Sequence, residues 1–215
     1  MKTLGLICLK AGIILFLFSF TFLEKNKEGP FSPKDNLRVL SLYSEPSGAL
    51  ILRSRVMEAK NYSYGKSFST RYCFLVDMSI PSGKKRFFVY DFSTNNIVYS
   101  GLVSHGSGGI NYSSQPKFSN DPGSDCTSLG KYKVGELYHG QYGRSYKLYG
   151  LENSNSNAYK RAVVLHSYSC VADEEVYPKG VCNSSGCTGV SPNFFNKLSM
   201  VVDESQKPIL LWIYQ

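Results

Sequence analysis

The 215-residue sequence predicts a mainly β, or α+β, domain with a few peripheral helices. Short runs rich in aromatic and β-branched residues are separated by turn residues along the chain, as expected for strands. The composition, with 42% hydrophobic and 19% charged residues, 19 glycines and 16 tyrosines, is typical of a β-rich globule with many loops. The length is sufficient for one domain with a sizeable core and a leader.

Residues 1–23 are a candidate targeting segment. After Lys2, residues 4–23 are apolar apart from Lys10 and a few hydroxyl side chains, and a charged stretch follows at 24–28. This pattern predicts an export signal or an N-terminal membrane anchor. Either one would put the rest of the chain outside the cytoplasm, in the periplasm or cell envelope.

The remainder of the chain divides into a linker and one domain. Residues 24–46 are polar and contain three prolines, which is typical of a linker, so the domain is expected at 47–215. Near its start, residues 49–60 carry apolar side chains at helical spacing and predict an amphipathic helix. A second helix is predicted from Ser191, a serine cap that Pro192 follows at the first helical position.

Seven strands are predicted within the domain. The segments are 72–78, 86–92, 97–104, 131–137, 145–149, 161–166 and 209–214. The second and third of them flank Ser-Thr-Asn-Asn at 93–96. Because these residues tolerate tight turns, the two strands are expected to form a hairpin.

The charge of the chain says little about its partners. A formal net charge of +8 suits any polyanion, including nucleic acid, lipid headgroups or an anionic cell wall. The lysines and arginines are scattered, however, and no recognisable nucleic-acid-binding module is present. Nucleic acid is therefore not predicted as a partner.

One stretch of sequence contains the parts of a nucleophilic site. His166 ends an apolar strand, and Cys187 follows 21 positions later at the end of Ser-Ser-Gly-Cys. A thiol with an ordinary pKa of ~8.5 needs a neighbouring imidazole or helix dipole to become a useful thiolate. Gly186 would allow a sharp turn that brings backbone amides close to a substrate carbonyl. Taken alone, the same pattern also fits a buried or disulfide-bonded cysteine.

The domain contains five cysteines, Cys73, Cys126, Cys170, Cys182 and Cys187. An odd number in a compartment that permits disulfides leaves at least one thiol free. If Cys187 is that thiol, Cys170 and Cys182 could bridge the loop between the histidine and the nucleophile. A bond from either of them to Cys187 would instead remove the nucleophile. A zinc site is a further alternative, although the chain has no Cys-x-x-Cys pair.

Several blocks of sequence together resemble a known family. His166 is followed by seventeen residues and then by Ser-x-Gly-Cys, with Cys187 last. This pattern is similar to the signature of L,D-transpeptidases with the YkuD-like fold. The accompanying blocks are 84–108, 117–152 and 155–174, which resemble the murein L,D-transpeptidase catalytic domain branch. The resemblance covers roughly residues 50–215. It implies a β-sandwich or barrel-like sheet with peripheral helices.

The resemblance also implies catalytic roles. Cys187 would attack the carbonyl of the third residue of a tetrapeptide stem of peptidoglycan, expel the terminal D-alanine and pass the acyl group to an amine. His166 would be its base, and the backbone carbonyl of Ser167 would orient the imidazole. Ser184 and Gly186 would shape the turn and the oxyanion hole. This chemistry requires no metal and no organic cofactor.

Further positions are implied as substrate-binding residues of the pocket. They are His105, Gly106, Asn120, Arg161 and Tyr168. For His105 a purely structural role is an equal alternative.

The sequence departs from many relatives beside the nucleophile. Ser185 precedes Gly186, and Thr-Gly-Val follows at 188–190, which removes a second histidine and a carboxylate-binding arginine. These departures leave the acyl acceptor and the stem-peptide contacts open.

Two classes of function follow. The first is a peptidoglycan L,D-transpeptidase in cell-wall crosslinking or remodelling, with an L,D-carboxypeptidase as the variant in which water accepts the acyl group. The second is a noncatalytic envelope protein that binds cell wall and keeps its cysteines in disulfides. The expected partners are peptidoglycan stem peptides and, through the N-terminal segment, the cell envelope or membrane.

Overall fold

The computed structural model describes residues 46–110 and 113–215. The targeting segment expected at 1–23 and the linker up to residue 45 lie outside the described residues. Within the described part of the chain, neither helix combines the length and the apolar character that a membrane crossing requires.

Within residues 46–110 and 113–215 the domain has two helices and eight strands. Helix α1 spans Pro46–Gly65 and α2 spans Pro192–Asp203. The strands are β1 Tyr72–Asp77, β2 Phe87–Asp91, β3 Asn96–Gly101, β4 Gly130–Gly140, β5 Gly143–Gly150, β6 Val164–Ser167, β7 Thr188–Val190 and β8 Leu210–Tyr214. A single 3-10 turn at Asn153–Asn155 follows β5.

All eight strands form one mixed sheet in the order β3-β2-β1-β8-β4-β5-β6-β7. The β1–β8 and β6–β7 pairs are parallel, and the remaining pairs are antiparallel. The expected mainly β, α+β class is confirmed.

The two edges of the sheet meet. After β3 the chain continues to Val103, which forms an antiparallel bridge with Val190 of β7. The next residue, Ser104, donates its backbone N–H to Gly189 O at 2.9 Å. Since β3 and β7 are the outer strands, these contacts close the sheet into the expected barrel-like form.

The central strands β1 and β8 are buried on both faces. On one face, Leu75 and Trp212 pack with Val56 of α1. On the other, Phe74 and Leu211 pack in the main core, which includes Phe194, Phe195, Leu198 and Val201 of α2. Burial on both faces explains why these strands have continuous apolar sequences rather than alternating ones.

The predicted elements are present with different lengths. The helix expected at 49–60 lies inside the longer α1, and the serine cap of α2 is confirmed, because Ser191 Oγ accepts the Phe194 N–H at 3.2 Å. The expected hairpin is β2–β3, with Asn95 in its turn at φ 54°. Strand β7 was not predicted.

Candidate active site

Strands β6 and β7 bring the two residues of the predicted nucleophilic site to one face of the sheet. In this parallel pair, Leu165 lies opposite Thr188 and His166 opposite Gly189. Extending the register by one residue sets Cys187 opposite Val164. Because alternate side chains of a strand share a face, Cys187 lies on the same face as His166.

The imidazole of His166 has a defined tautomer. Its Nδ1 lies 2.9 Å from Ser167 O, and a carbonyl can only accept a hydrogen bond, so Nδ1 carries the proton. In the neutral ring the lone pair is therefore on Nε2. This atom is buried and has no hydrogen-bond partner among the described residues. The predicted contact of His166 with the Ser167 carbonyl is present, and it leaves Nε2 free to accept a proton.

Aromatic rings enclose His166. Tyr142, at the tip of the β4–β5 hairpin, stacks on the imidazole with ring centroids 3.9 Å apart. Tyr168 lies at 5.3 Å from the imidazole on a tilted plane. Burial lowers the pKa of His166, and the Ser167 hydrogen bond opposes this only in part. The ring is thus neutral over a wider pH range than an exposed histidine.

The Cys187 thiol is partly exposed and faces the chain before β6. Its Sγ lies 3.8 Å from Ala162 O. Burial raises the pKa of this thiol, while a hydrogen bond with the Val164 backbone and the charge of Arg161 act in the opposite direction. The thiol is therefore mostly protonated at neutral pH, and a neighbouring base is needed to activate it.

The turn before Cys187 is fixed by Ser184 and Gly186. Ser184 Oγ donates to Cys187 O at 2.7 Å and accepts the Gly186 N–H at 3.2 Å. Gly186 has φ 104°, and a Cβ added there would lie 2.6 Å from Cys126 O. A side chain at this position is excluded both by the backbone conformation and by space.

The disulfide of the described domain leaves Cys187 free. It joins Cys170 to Cys182, with a Cα–Cα distance of 6.1 Å, in the loop between His166 and Cys187. Of the free cysteines, Cys73 and Cys126 are buried, and Cys187 is partly exposed.

The guanidinium of Arg161 lies beside the turn that ends in Cys187. Its Nη2 donates to Cys126 O at 2.6 Å and its Nη1 to Ser119 O at 3.0 Å. Its Nη2 also lies 3.0 Å from the position that a Cβ would take at Gly186, and its charge lowers the pKa of Cys187. Arg161 thus ties the 119–126 loop to the site.

Asn120 acts within the same loop. Its side-chain amide donates to Asn153 O at 2.9 Å and to Ser156 Oγ at 3.0 Å, and its Oδ1 accepts the Asn157 N–H at 3.1 Å. These contacts attach the loop to the 3-10 turn. The predicted contact of Asn120 with substrate stays a prediction.

His105 and Gly106 form the wall behind the turn. Gly106 pairs with Ser184 in a parallel bridge, and its N–H donates to Thr127 Oγ1 at 2.9 Å. The His105 ring is buried and both of its nitrogens are in contact with protein atoms, Nδ1 with Arg86 Nη2 and Nε2 with Ser113 O. A contact of this ring with substrate would break one of these hydrogen bonds, and that role also stays a prediction.

Two residues beside the site were not identified from sequence. Tyr142 lies at the tip of a hairpin, and nothing local in the sequence shows that this tip reaches His166. Ser104 donates its hydroxyl to Cys187 O at 3.4 Å and accepts the Gly189 N–H at 3.1 Å. Its contacts depend on the closure of the sheet, which no local pattern shows.

A family comparison decides the identity of the domain. The model of the L,D-transpeptidase catalytic domain matches residues 49–214. The chain belongs to the L,D-transpeptidase catalytic domain family. Its closed, eight-stranded mixed sheet is the YkuD-like fold of this family.

Several solved structures, some of them L,D-transpeptidases, are similar to this chain at low identity. The enzyme from Xylanimonas cellulosilytica is 14% identical, with 69% of this chain and 62% of that chain covered and a TM-score of 0.41. The helical cell shape determining protein Pgp2 from Campylobacter jejuni is 13% identical, with 67% and 48% covered and a TM-score of 0.45. An L,D-transpeptidase from Mycobacterium smegmatis is 14% identical, with 67% and 59% covered and a TM-score of 0.38. The chain spans less than two thirds of each of these structures.

No curated protein matches the chain. In residues 46–110 and 113–215, no group of three or more histidine, cysteine, aspartate or glutamate side chains is arranged to hold a metal ion.

Proposed function

We propose that this family member is a cysteine-dependent peptidoglycan L,D-transpeptidase with Cys187 as nucleophile and His166 as base. One observation carries the proposal. The hydrogen bond from His166 Nδ1 to Ser167 O, at 2.9 Å, leaves a buried Nε2 lone pair without a partner in the described structure. The imidazole that carries this lone pair lies on the same sheet face as the Cys187 thiol. Among the free cysteines of the described residues, Cys187 alone is partly exposed.

The first half of the reaction forms a thioester. His166 Nε2 accepts the thiol proton while Sγ of Cys187 attacks the carbonyl carbon of the third stem residue. Backbone amides at the turn ending in Cys187 stabilise the resulting oxyanion. The tetrahedral intermediate collapses as His166 returns the proton to the leaving amine. The products are the acyl-enzyme and free D-alanine.

The second half transfers the acyl group. An amine of a second stem attacks the thioester carbonyl and gives a proton to His166. The C–S bond breaks, and the proton from His166 restores the thiol. If water attacks in place of the amine, the product is a shortened stem with a free carboxylate, and the protein acts as an L,D-carboxypeptidase.

The expected pocket residues divide into two groups by their surroundings. Tyr168 lies beside the imidazole, and Arg161, although hydrogen-bonded to Cys126 O and Ser119 O, lies beside the turn that ends in Cys187; both are proposed to contact the stem peptide. His105, Gly106 and Asn120 are hydrogen-bonded within the protein and are proposed to shape the walls of the site.

The disulfide supports an enzyme over a noncatalytic wall-binding protein. A binding module has no need of a free thiol at this position. Here the cysteine pair that bonds is Cys170 and Cys182, and Cys187 keeps its thiol.

The proposed reaction requires export of the domain, because peptidoglycan lies outside the cytoplasmic membrane. Residues 1–23 would provide the signal or the anchor, as their apolar sequence predicts. The protein would then act in the periplasm or cell envelope.

Product analysis tests the proposal and identifies the acyl acceptor. The full chain is incubated with purified tetrapeptide muropeptides, with and without added D-amino acid, and the products are identified by mass. Dimers with 3-3 crosslinks or exchanged D-amino acids support transpeptidation, and tripeptides alone indicate the carboxypeptidase. Cys187→Ala should give none of these products, whereas Cys73→Ala, a change at a buried thiol on the α1 face, should retain them. Unchanged muropeptides with the folded wild type would contradict the proposal.

A further inference from the structure

Arg86 is a buried cation whose hydrogen bonds end on neutral groups. Its side chain has no exposed surface. Nε and Nη2 donate to Val103 O at 3.2 and 2.9 Å, and Nη1 donates to Ile80 O at 3.1 Å. Nη2 also lies 2.9 Å from His105 Nδ1. A buried guanidinium is costly unless its donors are used, and here Nε and Nη2 bind residues 103 and 105 while Nη1 binds residue 80.

Arg86 contacts residues 103 and 105 of the segment 103–107. This segment in turn contacts the turn formed by residues 184–187, which ends in Cys187. Ser104 Oγ donates to Cys187 O at 3.4 Å, and His105 O accepts the Ser184 N–H at 2.9 Å. Further contacts of the same segment are the Val103–Val190 bridge and the hydrogen bond from Ser107 N to Ser184 O at 2.8 Å. A shift of this segment would therefore move the turn that ends in Cys187.

The hydrogen bond from Arg86 to His105 requires one protonation state of the imidazole, with the lone pair on Nδ1. Nδ1 accepts from the guanidinium, so Nε2 carries the proton and donates to Ser113 O at 3.0 Å. Asn183 Nδ2, which lies 3.2 Å from Nε2, donates to the same carbonyl at 3.1 Å. Burial and the charge of Arg86 lower the pKa of His105 to about 4, whereas burial lowers that of Arg86 only to about 10. At neutral pH the pair consists of a charged donor and a neutral acceptor.

We propose that Arg86 and His105 are positioning residues that fix the 103–107 segment and, through it, the orientation of the Cys187 thiol toward the acyl group. This inference rests on the proposed function of Cys187. It assigns neither residue a contact with the substrate: their effect is on the rate of acylation and not on the affinity for the acylating compound.

Two substitutions of His105 separate the contact with Arg86 from the contact with Ser113. In His105→Asn, the amide oxygen lies near the former Nδ1 and can accept from Arg86. In His105→Gln, the amide group reaches the former Nε2 and Ser113 O, but the acceptor for Arg86 is lost. Bulk and polarity are similar in the two variants, so each serves as the control of the other.

The measurement is acylation of the full chain by a carbapenem, followed by intact mass over a range of concentrations. The rate is normalised to the folded fraction, and the first-order acylation constant is separated from the half-saturating concentration. The first-order constant should be at least tenfold lower for His105→Gln than for His105→Asn, at similar half-saturation. Arg86→Lys retains the positive charge, but its ammonium group cannot donate to Val103 O and His105 Nδ1 at the same time. Its first-order acylation constant should be as low as that of His105→Gln.

The outcomes distinguish the two levels of inference. If the wild type is acylated and both His105 variants react at the same rate per folded molecule, the positioning role is wrong and the proposed function stands. A change confined to the half-saturating concentration would also overturn it, since that result indicates substrate contact. If the folded wild type is not acylated at all, the proposed function itself fails.

Discussion

At the scale of single residues, His166 and Cys187 are both shifted toward their uncharged forms. Burial lowers the pKa of the imidazole and raises that of the thiol. The resting site therefore contains a thiol and a neutral imidazole, rather than a preformed thiolate and imidazolium. For the proposed reaction, this protonation state predicts that the proton moves during the attack, with His166 as the general base.

The pH dependence of acylation follows from this protonation state. The neutral form of His166 is required, and its pKa lies below the ordinary value, so the carbapenem acylation rate should rise with a midpoint below pH ~6.5. It should then be nearly constant between pH ~7 and ~8. A preformed thiolate with an elevated pKa would instead give a rate that rises through pH ~8.5 or above. Stopped-flow absorbance across this pH range decides between the two.

At the residue level, one contact of the candidate site was expected before the structure and one buried residue was not. The resemblance of the domain to a family implied the contact of the imidazole with the Ser167 carbonyl, and the structure contains this contact. The buried state of Arg86 could not be predicted, because it requires acceptors at Val103 and His105 that reach it only after folding.

At the scale of elements, the β4–β5 hairpin extends the site beyond β6 and β7. Its two-residue tip contains Tyr142, which covers the imidazole, and its strand β5 pairs with β6 so that Ser145 lies opposite His166. The hairpin therefore limits the access of water to His166. This position explains part of the burial that lowers the pKa of the ring.

Removal of the Tyr142 ring should affect both rate and pH dependence. An aromatic stack of this kind contributes about 1 kcal/mol, which corresponds to roughly a fivefold change in rate if it is lost. Tyr142→Ala should lower the acylation rate by about that factor and shift the acid limb of its pH profile upward, because the imidazole becomes more exposed. Tyr142→Phe keeps the ring and is the matched control. Identical profiles for the two variants would show that the stack has no role.

Strand β7 shows where element prediction fails. Its three residues, Thr-Gly-Val, have no alternation and include a glycine, so no local signal marks a strand. The strand exists because β6 pairs with one side of it and Val103 and Ser104 with the other. The longer strands β1 and β8 were predicted because their burial on both faces requires continuous apolar runs.

At the scale of the whole molecule, closure of the sheet assembles the site. The chain leaving β3 at one edge supplies Ser104, which contacts the Cys187 carbonyl at the other edge. The site is consequently built from both edges of the sheet, and its geometry depends on the folded state of the entire domain. Sequence alone gave the fold class, but this long-range closure was implied only by the resemblance to a family.

Acid should destabilise the domain through its buried histidines. The pKa of His105 falls from 6.5 to about 4 on folding, so the unfolded chain binds a proton more readily than the folded one. Stability from this group is complete above pH ~6.5 and is lost as the pH falls toward about 4, a change on the order of 3 kcal/mol. His166 acts in the same direction. Urea unfolding at several pH values should show this loss.

The matched variant for this effect is His105→Asn, which has no titrating group at that position. Its free energy of unfolding should depend less steeply on pH between ~6.5 and ~4 than that of the wild type. Equal slopes for the two proteins would mean that His105 is not held neutral by the fold.

The most direct test of the central claim is to locate the acylated residue. The folded, reduced full chain is exposed to a carbapenem, its intact mass is measured, and the modified peptide is mapped. The account predicts a single adduct on Cys187, absent from Cys187→Ala and present in Cys73→Ala. An unmodified wild type, or an adduct on another cysteine, would contradict it.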